Sequence, residues 1–385
     1  RVFSMTQPRY TANAGSGVPV PVSTGNVSVS VEVNGEGKAW KVFNAANQVL
    51  LQNTFDSSGR IVGSANADGR QTASTFNAAG RLQALTGTDA GTTSFQHDGQ
   101  GSLVQVTDAN SRATNYAVDS LGRLSSLSSP STGTTTFQMD AWGRMTQESK
   151  ANGTVVSYGY DSLGRMTSRS GGGLTDSFTY DNCANGVGRL CSFSNSKTST
   201  TLSYNAFGGV TSLVQTVGSA TYTFGAGYDS LGRQVTLSYP NGLTLTYQYD
   251  AAGRLSSIGS NQWGTVASNF LFQPAQAGSY AWRWGNGLTR AKSFDGDGRL
   301  VNVQTPGVQN NSYTHSTAGT IQSISDGMDS TQNSSFTYDG AARLRQVNKA
   351  NGDYQDVTYD QVGNRTGHIR AGVGNTYQYG TQGKI

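Results

Sequence analysis

The chain has 385 residues, of which 13% are charged, with 27 Lys and Arg against 23 Asp and Glu. A net charge of +4 over this length does not indicate a nucleic-acid-binding groove, and no segment reaches the roughly 18 apolar residues of a membrane span. The polar residues are mostly Ser, Thr, Asn, Gln and 50 Gly, a composition typical of a secreted or surface β protein rather than a helical enzyme.

Residues 1–38 differ from the rest of the chain. The prolines and the alternating segment Val27-Ser-Val-Ser-Val-Glu-Val33 predict an irregular lead-in and one strand, which we expect to cap the edge of a sheet. The chain begins at Arg1, so we interpret it as a processed chain or a piece of a longer protein. The absence of a signal peptide therefore carries no information on export.

Residues 39–385 form a repeat array with a period of about 21 residues. Each copy starts with Asp or Asn, has Gly three places later and Arg at the next place, and then an apolar residue, as in Tyr160-Asp-Ser-Leu-Gly-Arg165. Phe43-Asn-Ala-Ala-Asn-Gln-Val49 resembles a first, worn copy. Six consecutive copies, each 21 residues after the last, start at Asp56, Asn77, Asp98, Asp119, Asp140 and Asp161. The sequence thus predicts about sixteen copies of one unit.

Each unit carries a second turn signal halfway along. Asn152-Gly153, Asn241-Gly242 and similar pairs predict type I′ hairpin turns, and alternating runs such as Leu243-Thr-Leu-Thr-Tyr247 follow them. The unit is therefore a strand, a tight turn, a second strand and a longer turn. The whole chain is predicted to be all-β, an array of antiparallel hairpins that coils into a spiral ribbon or hollow shell, because open sheets beyond about ten strands curl or split.

The Asp-x-x-Gly-Arg phrase is expected to be a turn. Its Asp accepts hydrogen bonds from backbone N–H groups two residues on, its Gly supplies the positive φ, and its Arg fork spans to a neighbouring carboxylate or to turn carbonyls. We therefore predict a structural ladder of Asp–Arg pairs along one rim of the sheet, and no catalytic, cofactor or metal site. The ladder comprises Asp56 and Arg60, Asp119 and Arg123, Asp140 and Arg144, Asp161 and Arg165, Asp229 and Arg233, Asp250 and Arg254, and Asp295 and Arg299.

After each such turn, apolar residues recur three places apart, as at Leu82 and Leu85 or Leu124 and Leu127. In a regular strand this spacing puts the two side chains on opposite faces. Either a β-bulge follows the turn, which we favour because a Gly-bearing turn often carries one, or both faces of the sheet are partly buried.

Two further features of the sequence each allow two interpretations. Cys183 and Cys191, eight residues apart across a turn, are placed either to form a disulfide, which implies an oxidising compartment, or to be two small buried residues. Trp282 and Trp284 share one face of a predicted strand, where they either pack inside the coil or stack on sugar rings of a glycan.

The repeated phrase resembles the YD repeat of the Rhs family, which is also found in teneurins and in the C component of Tc insecticidal toxins. The matching segments include Tyr160-Asp-Ser-Leu-Gly-Arg165, Tyr249-Asp-Ala-Ala-Gly-Arg254 and Tyr359-Asp-Gln-Val-Gly-Asn364-Arg365, and the period covers about nine-tenths of the chain. The resemblance implies a hairpin ribbon that coils into a hollow shell around a toxic polypeptide. The Pro-, Asp- and Gly-rich region that precedes self-cleavage in that family has no counterpart in this sequence.

Two functions follow as hypotheses. The first is a non-enzymatic scaffold of a bacterial secreted or surface protein, whose partners are its own cargo polypeptide or copies of itself. The second is an extracellular filament or a cell-surface adhesin, whose partner is a glycan or protein of a cell surface. Neither hypothesis involves a cofactor, a nucleic acid or a membrane span.

Overall fold

The computed structural model describes residues 2–13, 17–274 and 278–380. These residues form 34 β-strands in one sheet and a single 3₁₀ turn, Ser330–Gln332. The predicted all-β array of antiparallel hairpins is therefore confirmed. The strands are β1 (Val2–Ala12), β2 (Pro21–Val33), β3 (Ala39–Phe43), β4 (Val49–Phe55), β5 (Ile61–Asn66), β6 (Gln71–Phe76), β7 (Leu82–Gly87), β8 (Gly91–His97), β9 (Leu103–Thr107), β10 (Ala113–Val118), β11 (Leu124–Ser129), β12 (Gly133–Met139), β13 (Met145–Ser149), β14 (Val155–Tyr160), β15 (Met166–Gly171), β16 (Leu174–Tyr180), β17 (Leu190–Ser194), β18 (Thr198–Tyr204), β19 (Val210–Val217), β20 (Ala220–Tyr228), β21 (Gln234–Ser238), β22 (Thr244–Tyr249), β23 (Leu255–Ser260), β24 (Gly264–Phe272), β25 (Ser279–Trp284), β26 (Thr289–Phe294), β27 (Leu300–Thr305), β28 (Gln309–His315), β29 (Ile321–Asp326), β30 (Ser334–Tyr338), β31 (Leu344–Lys349), β32 (Tyr354–Tyr359), β33 (Arg365–Arg370) and β34 (Val373–Thr376).

Consecutive strands pair in an antiparallel register, and the register shifts by one residue just after the Asp-x-x-Gly-Arg turns. In the β6–β7 pair, Phe76 lies opposite Leu82 but Thr75 lies opposite Ala84, so Gln83 is the extra residue. This β-bulge returns Leu82 and Leu85 to the same face of the sheet. The bulge that we favoured from the three-residue spacing is confirmed.

The prediction of type I′ turns at the Asn-Gly pairs is wrong. At Lys150–Gly153, Gly153 N–H donates to Lys150 O and only the glycine of the pair has a positive φ, of 82°. This geometry is a type I turn followed by a left-handed Gly, because the loop holds three residues rather than two. A two-residue loop with two positive φ values, the type I′ signature, occurs instead at Gly172-Gly173.

The turns lie alternately at one end and at the other end of the strands. We call the side of the sheet that carries the turns after even-numbered strands the YD rim, since the Asp-x-x-Gly-Arg turns lie there, and we call the other side the opposite rim. The predicted worn copy at Asn44–Gln48 joins β3 to β4 and so lies on the opposite rim. The first copy on the YD rim is instead Asn34–Lys38, where Gly37 N–H donates to Asn34 O.

The N-terminal lead-in is more regular than predicted. Val2–Ala12 is an eleven-residue strand that pairs with β2 along its whole length, from Val2 opposite Glu32 to Ala12 opposite Pro21. Its Pro8 argued against a strand in the sequence, yet a proline is tolerated in an edge strand, where its missing N–H has no partner to lose.

Contacts divide the chain into two compact units, one made of residues 1–115 and 269–385 and the other of residues 116–268. In the first unit, the end of β1 packs on β25 and β26 around the buried side chains of Ala12, Tyr280, Ala281 and Ala291. Arg9 Nη1 donates to Phe294 O at 2.8 Å, and Tyr10 N–H donates to Gln273 Oε1 at 2.7 Å. The largest buried side chain in this cluster is Tyr280, which is 2% exposed.

The first unit also contains contacts between ribbon segments that are about 250 residues apart. Turns of the opposite rim in residues 2–115 contact YD-rim turns in residues 278–380. Ala45 N–H donates to Asp297 Oδ1 at 2.8 Å, a separation of 252 residues, and Gly340 N–H donates to Asp89 Oδ2 at 2.6 Å, a separation of 251 residues. With a 21-residue period, this offset corresponds to about twelve repeats.

Candidate functional site: the YD rim

Most described turns of the YD rim are built around one carboxylate, and its place is taken in the others by Asn34, Asn77, Asn205 or Ser316. In Asp161–Arg165, Asp161 Oδ1 accepts the backbone N–H of Leu163 at 3.0 Å and that of Arg165 at 2.9 Å. Gly164 has a φ of 81°, a conformation that glycine adopts without steric cost. The Asp therefore closes the turn that the Gly makes possible.

The second carboxylate oxygen holds the arginine of the same turn. Arg165 Nε donates to Asp161 Oδ2 at 2.7 Å, and the structure brings together in this way all seven Asp and Arg pairs of the predicted ladder. Asp339 and Arg343, which were not in that set, form the same pair. The ion pairs therefore lie within turns rather than between neighbouring repeats.

The contact between neighbouring repeats is made by the rest of the guanidinium. Arg123 Nη1 donates to Asp140 O at 3.0 Å, and Arg144 Nη1 donates to Asp161 O at 3.2 Å, in each case the first carbonyl of the next YD-rim turn. Arg165 differs from these two, because it donates to both carboxylate oxygens of Asp181 at 3.0 and 2.6 Å. Arginine thus has two acceptors in different repeats, which lysine does not match.

In many YD-rim turns, including that of Asp161, a tyrosine precedes the first residue, and its role is what the sequence analysis missed. The Arg144 guanidinium lies 4.8 Å from the ring centre of Tyr160, within the range of a cation–π contact. The Tyr160 hydroxyl then donates to Met145 O in the preceding repeat at 2.8 Å. Equivalent hydroxyl bonds are made by Tyr180, Tyr204, Tyr228, Tyr249, Tyr338, Tyr359 and Tyr379. The recurrence of tyrosine directly before the Asp or Asn of these turns was the sequence signal that could have revealed this role.

The electrostatics of the rim favour ionised carboxylates. The backbone N–H of Arg165 is the main cause that lowers the pKa of Asp161, and the Arg165 guanidinium lowers the pKa of Asp181 to about 2. These shifts are those of carboxylates that accept hydrogen bonds in their charged form. Carboxylates held in this state do not serve as general acids near neutral pH.

We expect the fold to lose stability in acid. A carboxylate whose pKa is lower in the folded state stabilises the protein fully above its unfolded pKa of about 4, and this stabilisation is lost as the pH falls toward about 2. Thermal unfolding measured from pH 7 to pH 2 checks this, with a flat midpoint down to about pH 5 and a fall below about pH 4. Asp181→Asn should weaken the fall, and an unchanged profile in that variant would contradict the assignment.

His315 occupies the tyrosine place of one turn and leaves a bond unmade. Its Nδ1 is buried without a hydrogen-bond partner, and burial lowers its pKa. We expect His315→Tyr to raise the free energy of unfolding by about 1 kcal/mol, because the hydroxyl would reach Leu300 O as its counterparts do. Urea denaturation measures the change, and His315→Phe, which lacks the hydroxyl, is the control. Equal stability of the Tyr and Phe variants would show that no hydroxyl bond forms.

Cys183 and Cys191 form a disulfide in the enlarged turn between β16 and β17, with their Cα atoms 5.4 Å apart. The turn also contacts the next repeat, since Asn185 Nδ2 donates to Tyr204 O at 2.8 Å. Of the alternatives drawn from the sequence, the bonded pair is present.

Trp282 and Trp284 lie on one face of β25, with ring centres 5.4 Å apart and edge to face. Phe270 stacks on Trp282, and Lys292 Nζ lies 5.2 Å from the Trp282 ring centre. Trp282 is therefore half-buried among its neighbours, whereas Trp284 remains 36% exposed.

In residues 2–13, 17–274 and 278–380, no three His, Cys, Asp or Glu side chains are grouped as they would be to bind a metal ion. In that same part of the chain, no helix has the length and the apolar content that crossing a membrane requires.

Comparisons with known proteins agree with this geometry. The RHS Repeat family model matches residues 140–175 and 228–261, and the Teneurin YD-shell model matches residues 21–141. No curated protein matches the chain at the sequence level.

Solved structures of Tc toxin components share the fold. TcdB2–TccC3–Cdc42 superposes with a TM-score of 0.73 at 16% identity, over 97% of this chain and 25% of that chain. TcdB2–TccC3 without its hypervariable C-terminal region gives 0.74 at 15% identity, over 100% and 26%. The Photorhabdus luminescens Tc holotoxin pore gives 0.72 at 15%, over 98% and 25%. This chain thus spans about a quarter of the length of the chains it matches. With the 21-residue hairpin unit, the Tyr-Asp-x-x-Gly-Arg turns and these matches, residues 21–175 and 228–261 of the chain are YD, or RHS, repeats.

Proposed function

We propose that the chain is a non-enzymatic scaffold, a YD-repeat shell segment of a secreted or surface bacterial protein that encloses or presents a toxin-like cargo. The observation that carries this proposal is the bonding of the YD rim. Asp161 accepts bonds within its own turn, and Arg144 and Tyr160 join that turn to the preceding one. Side chains engaged in this way hold repeats in register and are not free to react with a substrate.

Two observations support the enclosing role. The contacts between ribbon segments about 250 residues apart bring a later part of the ribbon onto an earlier one, as the wall of a container requires. The structural relatives are Tc toxin components, one of them in a Tc holotoxin pore. The partners proposed for this chain are therefore its own cargo polypeptide or copies of itself.

The disulfide supports an extracellular location. Disulfides persist in oxidising compartments such as the periplasm and the cell exterior, and are rare in the bacterial cytosol. Cys191, which forms the bond with Cys183, is 3% exposed. A bond protected in this way fits a structural role in a secreted protein.

Electron microscopy of the purified chain tests the scaffold. Curved or closed particles of uniform wall thickness are the expected result, because the ribbon would coil with a fixed number of repeats per layer. Regular straight filaments would overturn the proposal in favour of the second candidate, an extracellular filament or adhesin.

One observation favours an adhesin that binds glycans. Trp284 is exposed beside Trp282, and the side chains of Arg290 and Lys292 lie near the Trp282 ring. This arrangement is suited to a sugar ring that carries negative charge. A glycan array probed with wild type and with Trp282→Ala/Trp284→Ala tests this. Binding by wild type that the variant loses would support the adhesin, and no binding by wild type would remove it.

A further inference from the structure

Six consecutive turns of the YD rim, all in the unit of residues 116–268, carry a large apolar side chain just before the glycine. We call these six residues the apolar row. They are 73–82% exposed, and they are Leu121, Trp142, Leu163, Val187, Phe207 and Leu231. The fold of each turn depends on the Asp or Asn at its start and on its glycine. Neither of them requires an apolar residue at this place.

The apolar row is not a general property of the repeat. The preceding turns have Ser58, Ala79 and Gln100 at the equivalent place, and the following turn has Ala252. Where a YD-rim turn is covered by another ribbon segment, in the unit formed by the two ends of the chain, the residue is Val362 in one turn, where it is 38% exposed, and is small or polar in three others. Ala318 is an example, with its N–H donating to Asp68 Oδ1.

The size of the row matches a specific protein interface. The six side chains expose on the order of 900 Å², given the 150–250 Å² of a large side chain, whereas a stable interface buries about 800 Å² on each partner.

The spacing of the row makes it complementary to itself. Successive YD-rim turns are two strands apart, roughly 9.6 Å, so the tips project at regular intervals with gaps between them. One such gap is an open groove lined by Trp142, Arg144, Asp161 and Leu163. A second row running in the opposite direction, shifted by half a period, would place its tips in these gaps.

We propose that the apolar row is the contact surface for a second copy of this chain, with the two rows packed against each other about a two-fold axis. Contact between turns is already how this chain packs on itself. The opposite-rim residues Ala45 and Asp89 are hydrogen-bonded to the YD-rim residues Asp297 and Gly340. A two-fold contact uses the same patch on both copies and closes after two. The arginines beside the row are paired with aspartates, so the row offers no net positive charge to an anionic membrane.

Sedimentation velocity of the full chain over about 1 to 100 µM tests the proposal. Wild type should sediment as a dimer with a Kd in the micromolar range or below. Trp142→Ser/Phe207→Ser should raise that Kd by at least about 100-fold, since central aromatic residues dominate interfaces. The matched control is Trp263→Ser on the opposite rim, where Trp263 is 67% exposed and the dimer should be unaffected.

Any of three results would overturn the proposal. One is a wild-type chain that remains monomeric at about 100 µM, and another is a dimer that the Trp142→Ser/Phe207→Ser variant forms equally well. The third is flotation of monomeric wild type with phosphatidylcholine and phosphatidylserine vesicles, lost in the same variant, because the row would then bind lipid. Circular dichroism of each variant confirms that it is folded, as expected for substitutions at exposed turn tips.

Discussion

Replacing Tyr280 with alanine should lower the free energy of unfolding by about 4 kcal/mol, the largest loss that we expect from one substitution. Tyr280 is 2% exposed and packs with Ala12, Ala281 and Ala291 where β1 meets β25 and β26. These residues form the one buried apolar cluster found in the described part of the chain. Removal of the ring leaves a cavity in this cluster. Urea denaturation, followed by tryptophan fluorescence, measures the change.

Two variants separate burial from other effects of the substitution. Tyr280→Phe keeps the ring and should cost less than about 1.5 kcal/mol. Tyr222→Ala removes a tyrosine that is 44% exposed and should change stability by less than about 1 kcal/mol. A loss of less than about 1 kcal/mol in Tyr280→Ala would mean that β1 does not depend on this packing.

The second large effect concerns the disulfide. Cys183→Ser/Cys191→Ser should lower the free energy of unfolding by about 2.5 kcal/mol, the loop-closure entropy expected for cysteines eight residues apart. Part of the loss would come from a buried serine hydroxyl, because Cys191 is 3% exposed. Thermal unfolding with and without dithiothreitol measures the effect.

Reductant provides the control in the same experiment. Dithiothreitol should lower the unfolding midpoint of wild type and leave that of the double variant unchanged, since the variant has no bond to reduce. A wild-type midpoint that does not respond to complete reduction would show that the bond does not stabilise the fold.

The local features of the fold could be predicted from the sequence because they repeat. The 21-residue period, the carboxylate that closes each turn, and the bulge that brings Leu82 and Leu85 to one face all follow from local backbone chemistry. Asp161 and Arg165 show the limit of this, since the sequence predicted that both residues belong to a ladder but not that they pair within one turn, four residues apart.

Other features of the fold could not be predicted from the sequence, because they depend on distant or competing contacts. The bond from Ala45 to Asp297 joins residues that are 252 apart in the chain, and no local pattern encodes that separation. The role of Tyr160 is visible only when the preceding repeat is placed beside it. At Asn152-Gly153, the three-residue loop with a left-handed Gly was chosen over the type I′ turn that the dipeptide favours.

The central claim is that the arginine of a YD-rim turn, where one is present, links that turn to the next. Amide hydrogen exchange in Arg144→Lys tests it most directly, because lysine keeps the charge but cannot bond Asp140 and reach Asp161 O together. The matched control is Arg169→Lys, since Arg169 pairs with Asp176 on a neighbouring strand and does not join two YD-rim turns.

In Arg144→Lys, we predict that exchange increases by about tenfold both in its own turn, residues 140–145, and in the following turn, residues 160–166. In Arg169→Lys, neither of these turns should change. Faster exchange confined to residues 140–145 would contradict the account, because Arg144 would then stabilise its own turn alone.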